Sequence, residues 1–89
     1  MEEIADVILR NPQLASIEIQ GHTDDRGGRE HNEELSQRRA DAVRVWLIQH
    51  GVEAHRLQAV GYGQTRPLVP NITSSNRARN RRVQFVVQE

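Results

Sequence analysis

The sequence predicts a single α+β domain, a small mixed sheet packed against two or three helices. Three observations carry that expectation. Apolar residues alternate with polar ones in short stretches around Ile17/Ile19, Leu57/Ala59 and Val83/Phe85, as half-buried strands require. Between the first two lies a longer stretch with helical spacing, Ala40, Val43, Trp46 and Leu47. The whole is 89 residues with no internal repeat or long linker, so residues 1–89 make one domain with one core. A chain this short buries only roughly 60–65% of its extended surface, which leaves little stability to spare.

The elements follow in order. Glu2 to Arg10 reads as a short helix with Ile4, Val7 and Ile8 on one face, ended by Asn11-Pro12. Its acidic start and basic end both suit the helix dipole. Ile17 and Ile19, separated by Glu18, form a strand that Gly21 stops. His22 to Asn32 is polar and glycine-bearing, and reads as a loop. Ser36 is the expected N-cap of the long helix, which Gly51 closes. Leu57, Ala59 and Val60 make a second strand running into Gly61-Tyr62-Gly63, and Pro67 and Pro70 hold the next segment as a loop. Arg77 to Arg81 reads as a short helical turn. Val83, Phe85, Val86 and Val87 form the last strand, with Arg82 and Gln84 facing the other way.

Composition excludes several functions. There is no cysteine, hence no disulfide and no thiol chemistry. No stretch approaches the ~20 apolar residues that cross a bilayer, so this segment is not expected to insert into a membrane. The start, Met1-Glu2-Glu3, is acidic and lacks a signal-peptide pattern; work outside the cytoplasm would need a targeting segment that is absent here. Net charge is zero but polarised. Residues 1–41 carry ten acids and five arginines, residues 42–89 two acids and seven arginines. That balance favours pairing within the fold over a polyanionic partner. Every basic residue apart from histidine is arginine, whose planar fork suits carboxylates.

Three polar clusters are candidates for a site: Gly21-His22-Thr23-Asp24 after a strand, Asn32 with Ser36 and Arg38-Arg39 near the long helix, and Asn80-Arg81-Arg82 entering the last strand. One loop joins the first two, which brings Asp24 towards Arg39. Such a pair is either an internal salt bridge or a receptor for a zwitterion, the acid taking an ammonium and the guanidinium a carboxylate. Asp24 and Asp25 near His22 also admit a hydrolase, but no nucleophile elbow exists, and His22, His31, His50 and His55 lack metal-ligand spacing. The enzyme and metal readings therefore fall behind, and no cofactor is expected. Arg77, Arg79, Arg81 and Arg82 could meet phosphates, yet zero net charge and three aromatic residues argue against a nucleic-acid module. His22 reads as a structural hydrogen-bond donor, Trp46 as core, and Tyr62 as a packing residue rather than a sugar platform.

Gly21-His22-Thr23-Asp24, Asn32, Leu35-Ser36, Arg39-Ala40, Gly61-Tyr62-Gly63, Pro67, Asn71 and Asn80-Arg81-Arg82-Val83 together resemble the OmpA-like C-terminal domain, over about Ile17 to Val87. That domain is shared by outer-membrane protein A, the peptidoglycan-associated lipoprotein and flagellar stator B-type proteins. The resemblance implies non-covalent, non-enzymatic binding of the peptidoglycan stem peptide at diaminopimelate, anchoring a larger envelope protein to the wall. Asp24 matches the family's amine contact and Arg39 its carboxylate contact. Thr23 and Asn32 match positions that shape the site, and Arg81 supports or lines the pocket. The implied location is the periplasm, associated with the outer membrane through a missing N-terminal region. The other expectation is a protein-interaction module of an envelope complex with no wall contact. Two departures stand out. Asn76 replaces a frequent glycine, and the family's first strand and fuller first helix are missing. A sheet without that strand has an unpaired edge, which predicts dimerisation or strand exchange with a second copy.

Overall fold

The computed structural model of the chain describes residues 2–88. Helix α1 spans Glu2–Arg10, strand β1 Ile17–His22, helix α2 Arg29–Gln49, strand β2 Leu57–Gly63, helix α3 Ser74–Asn80 and strand β3 Arg82–Val87. A single 3-10 turn, Ala54–Arg56, precedes β2. Among the described residues the sheet has three strands in the order β2-β1-β3. β1 runs parallel to β2, with α2 as the crossover, and antiparallel to β3, so the sheet is mixed as expected.

Register explains the core. Ile17 pairs with Leu57 and Val87, and Ile19 with Ala59 and Phe85. Directly paired residues share a sheet face, so these side chains meet α1 and α2 on one side. Ile19 and Leu47 are fully buried between the layers, with Ala5, Ile8 and Ala40 beside them. The opposite face carries Glu18, Gln20, His22 and Tyr62, the polar half of the alternation.

Helix α2 sits close to the sheet because two glycines permit it. A Cβ on Gly21 would strike the Ser36 carbonyl, and one on Gly61 would strike the Gln37 backbone nitrogen. Gln37 then reaches both sides of the contact, donating to Ala59 O at 3.0 Å and accepting from Gly61 N at 2.8 Å.

Three sequence expectations need correction. Strand β1 does not stop at Gly21 but runs through it to His22, both residues being paired on each side. The long helix begins at Arg29 behind the N-cap Gly28, not at Ser36. Its first two turns hold Glu30, Glu33 and Glu34, good helix formers that bury no apolar stripe, so apolar spacing cannot reveal them. Ser36 lies mid-helix and fully buried, accepting from Gly63 N at 2.9 Å and donating to Glu33 O at 2.9 Å. In α1 the buried face is Ala5 and Ile8, whereas Val7 is 54% exposed.

Arg56 is an anchor that sequence reasoning passed over. It is only 5% exposed and donates to the carbonyls of Ile8, Asn11 and Leu14 at 2.9–3.2 Å. These carbonyls belong to the α1 C-terminus and its following turn, where a cation is favoured; those of Ile8 and Asn11 also accept from Asn11 N at 3.3 Å and Leu14 N at 2.9 Å.

Candidate functional site

The site forms where the C-terminal end of β1 meets the junction of α3 and β3. Pairing of His22 with Arg82 across the antiparallel ladder places Thr23 and Asp24 beside Arg81. The short loop 23–28 is then fixed by its own polar groups. Thr23 N donates to Gly63 O at 2.9 Å, and Thr23 Oγ1 donates to Asp24 O at 2.9 Å. Asn32, in the first turn of α2, donates to Arg26 O at 2.9 Å and to Gln64 Oε1 at 2.7 Å. Thr23 and Asn32 therefore shape the loop from both sides.

Asp24 is buried, its side chain 9% exposed. Its Oδ1 accepts from Arg26 N at 3.0 Å, and its Oδ2 accepts from Arg81 Nη1 at 2.7 Å. Burial pushes the carboxyl up. The Arg81 hydrogen bond, the Arg26 backbone hydrogen bond and the two nearby guanidinium charges outweigh it and hold Asp24 below its ordinary value. The acid is thus ionised at neutral pH. Beside it, Asp25 pairs with Arg77 Nε at 3.3 Å. Arg77 and Arg81 are one turn apart in sequence, so the α3 segment grips two consecutive acids of the loop.

The partner of Asp24 is Arg81 and not Arg39. Arg39 is exposed on α2 and, among the described residues, has neither an ion-pair nor a hydrogen-bond partner. It lines, with Arg81, Arg82 and Val83, an open cleft of about 330 Å³. Of these arginines Arg82 is committed elsewhere: it donates to Gln84 Oε1 at 3.0 Å, Asn80 O at 3.3 Å and Arg66 O at 3.2 Å, and burial lowers its guanidinium. The cleft therefore offers the free fork of Arg39 and the uncommitted donors of Arg81, backed by the Asp24 carboxylate. That lining is cationic and suits a carboxylate; the Asp24 carboxylate, 9% exposed and bonded to Arg81, lies behind the lining and is not part of it.

Neighbouring groups are structural. Asn80, fully buried, accepts from Leu68 N and Val69 N and donates to Val69 O and Asn71 Oδ1, fixing the loop before α3. His22 is 1% exposed, with Nε2 at 2.9 Å from Gln20 Oε1 and Nδ1 unpartnered. Burial first, then Arg82 and Arg66, lower its pKa to about 4, so it is neutral near pH 7. Tyr62 stacks on His22 on one side, and the Arg66 guanidinium lies 4.0 Å from its ring centroid. Its hydroxyl donates to Glu18 at 2.6 Å. With its ring engaged by both neighbours, it packs rather than presents a platform. Among the described residues no group of three His, Asp or Glu side chains could hold a metal, and no helix is long and apolar enough to cross a membrane.

A family model described as the OmpA family matches residues 1–81. Outer membrane porin F of Pseudomonas fluorescens is 43% identical over 88 residues, 99% of this chain and 27% of that protein. The peptidoglycan-associated lipoprotein of Legionella pneumophila is 42% identical over 80 residues, 90% of this chain and 46% of that one. The crystal structure of the peptidoglycan-associated lipoprotein from Burkholderia pseudomallei superposes with a TM-score of 0.88 at 38% identity, covering 97% of this chain and 72% of the other. The C-terminal domain of Helicobacter pylori MotB (residues 125–256) gives 0.88 at 38% identity, covering 96% and 66%. The chain thus spans about a quarter of the porin F sequence.

Proposed function

The chain belongs to the OmpA family, and on that premise we propose that it binds peptidoglycan non-covalently, through the diaminopimelate head group of the stem peptide. The observation that carries the reading is an ionised carboxylate, Asp24, bonded to Arg81, which lines a cleft together with the unpartnered Arg39. In this reading Asp24 takes the ammonium with its remaining lone pairs. Arg39 grips the carboxylate with its planar fork, and Arg81 holds Asp24 while lending a donor to the same carboxylate. Thr23 and Asn32 keep the acid in place. The names of the lipoprotein relatives agree with a wall-associated role. The function is binding without catalysis, in the periplasm, where the chain ties a larger envelope protein of the outer membrane to the wall.

Each charge-assisted hydrogen bond contributes roughly 1.5–3 kcal/mol, so losing one weakens binding on the order of 10- to 100-fold. The test is co-sedimentation with purified sacculi, competed by free diaminopimelate, for Asp24→Asn and Arg39→Ala. Both variants are expected to lose retention while keeping the parent's circular dichroism. Undiminished retention of both would refute the assignment and favour an interaction module with no wall contact.

A further inference from the structure

Strand β2 has β1 on one side and, among the described residues, no strand on the other. Successive residues of a strand turn their N–H and C=O groups to alternate sides, so Leu57, Ala59 and Gly61 turn theirs together. Helix α2, not β1, bonds these groups. Arg44 Nε donates to Leu57 O at 3.0 Å, and Gln37 Nε2 donates to Ala59 O at 3.0 Å. Gly61 N donates to Gln37 Oε1 at 2.8 Å, and beyond it Gly63 N donates to Ser36 Oγ at 2.9 Å. The Leu57 N–H is taken by Ala54 O at the preceding turn. A bare edge strand would instead offer such groups to any extended chain.

Gln37 is the centre of this arrangement. In a parallel ladder one residue of the neighbouring strand donates to the carbonyl before its opposite number and accepts from the N–H after it. The Gln37 side-chain amide makes that pair of bonds around Val60. Its Nε2 also donates to Asp41 Oδ1 at 3.0 Å, one helical turn on, which fixes how the amide faces. We propose that Gln37, backed by Arg44 and Ser36, closes the β2 edge against strand addition by a second copy of the chain. Its amide stands in for one residue of a parallel neighbour. Strand exchange with a second copy, expected from the sequence, therefore finds no template on β2. The closure is made by described residues alone and does not depend on what precedes or follows them. Gln37 and Arg44 lie outside the proposed wall site, so the closure stands or falls separately from wall binding.

Amide hydrogen exchange and sedimentation velocity, on the parent and on Gln37→Ala, test the closure. The Gly61 N–H of the parent is expected to be protected although it lies on an edge strand. Gln37→Ala should speed its exchange about tenfold and leave the circular dichroism unchanged, alanine being a good helix former. The variant should also associate more than the parent at each concentration. In the associated form the Ala59 N–H, which turns outward with Gly61, should gain protection and place the new contact on β2. Gln37→Glu keeps an acceptor for Gly61 N–H and sets a charge at the edge, so it should behave as the parent does. An unprotected Gly61 N–H in the parent overturns the proposal, because the bond is then absent in solution. Faster Gly61 exchange in Gln37→Ala without added association also overturns it, because the opened edge then recruits nothing.

Discussion

Replacing Arg81 by glutamine removes the shorter of the two hydrogen bonds to the Asp24 side chain, and its cost should depend on pH. In the parent, Arg81 Nη1 donates to Asp24 Oδ2 at 2.7 Å. The acid is 9% exposed but the arginine 43%, so water screens part of the attraction. The discounted contribution is about 1–2 kcal/mol at neutral pH. For a domain of this size that lowers the melting temperature by roughly 5–15 °C. The parent carboxyl lies below its unfolded value, so its stabilisation is present above the ordinary carboxylate range and is lost as pH falls through the depressed native value. Without Arg81 the native carboxyl loses the foremost of the interactions that lower it and moves up. The stability gap between parent and Arg81→Gln should then shrink as pH falls from 7 towards 3.5. Urea unfolding followed by circular dichroism at several pH values reads this gap directly, and any acid loss common to both proteins cancels. A gap of the same size at every pH would refute the reasoning, because Arg81 would then act through packing and not through the ionised acid.

Two further outcomes are expected. Arg56→Met should cost about 3–5 kcal/mol, since it strips a buried guanidinium from the carbonyls of Ile8, Asn11 and Leu14; a loss under 1 kcal/mol in the same urea assay would show that water replaces those bonds. The His22 imidazole, followed by NMR, should titrate near its lowered value of about 4. Because the native pKa lies below the unfolded one, His22 contributes stability above about pH 6.5 that fades as pH falls from there towards 4; a midpoint near 6.5 would mean that the ring is solvated.

The strands were legible because Ile17/Ile19, Leu57/Ala59 and Val83/Phe85 alternate; Ile17 and Ile19 pair with Leu57 and Ala59 on one side, and Ile19 with Phe85 on the other. The lower half of α2 was legible because Ala40 and Leu47 face the core. Its upper half was not: Arg29 to Leu35 lies where no apolar stripe is required, so only intrinsic propensity marks it as helix. The site residues Asp24 and Arg81 could each be singled out by type and position. Their pairing could not, since the loop joining Asp24 to Arg39 suggested the nearer arginine, while the actual partner lies 57 residues along. Only the choice of β3 as the second neighbour of β1 brings Arg81 there. Arg56 escaped for a related reason. A buried arginine is recognised by the carbonyls around it, and those belong to a helix end 42 to 48 residues away.

The position of β1 has a mechanical consequence. Asp24 follows directly on the central strand, which is stitched to β2 on one side and β3 on the other, with six paired residues on each. A tug delivered at that loop and directed along the strand would shear both ladders at once, where an edge strand could be unzipped bond by bond. A site on that loop resists a pull along the strand better than one carried by an edge strand, which is what the proposed wall binding would demand of it.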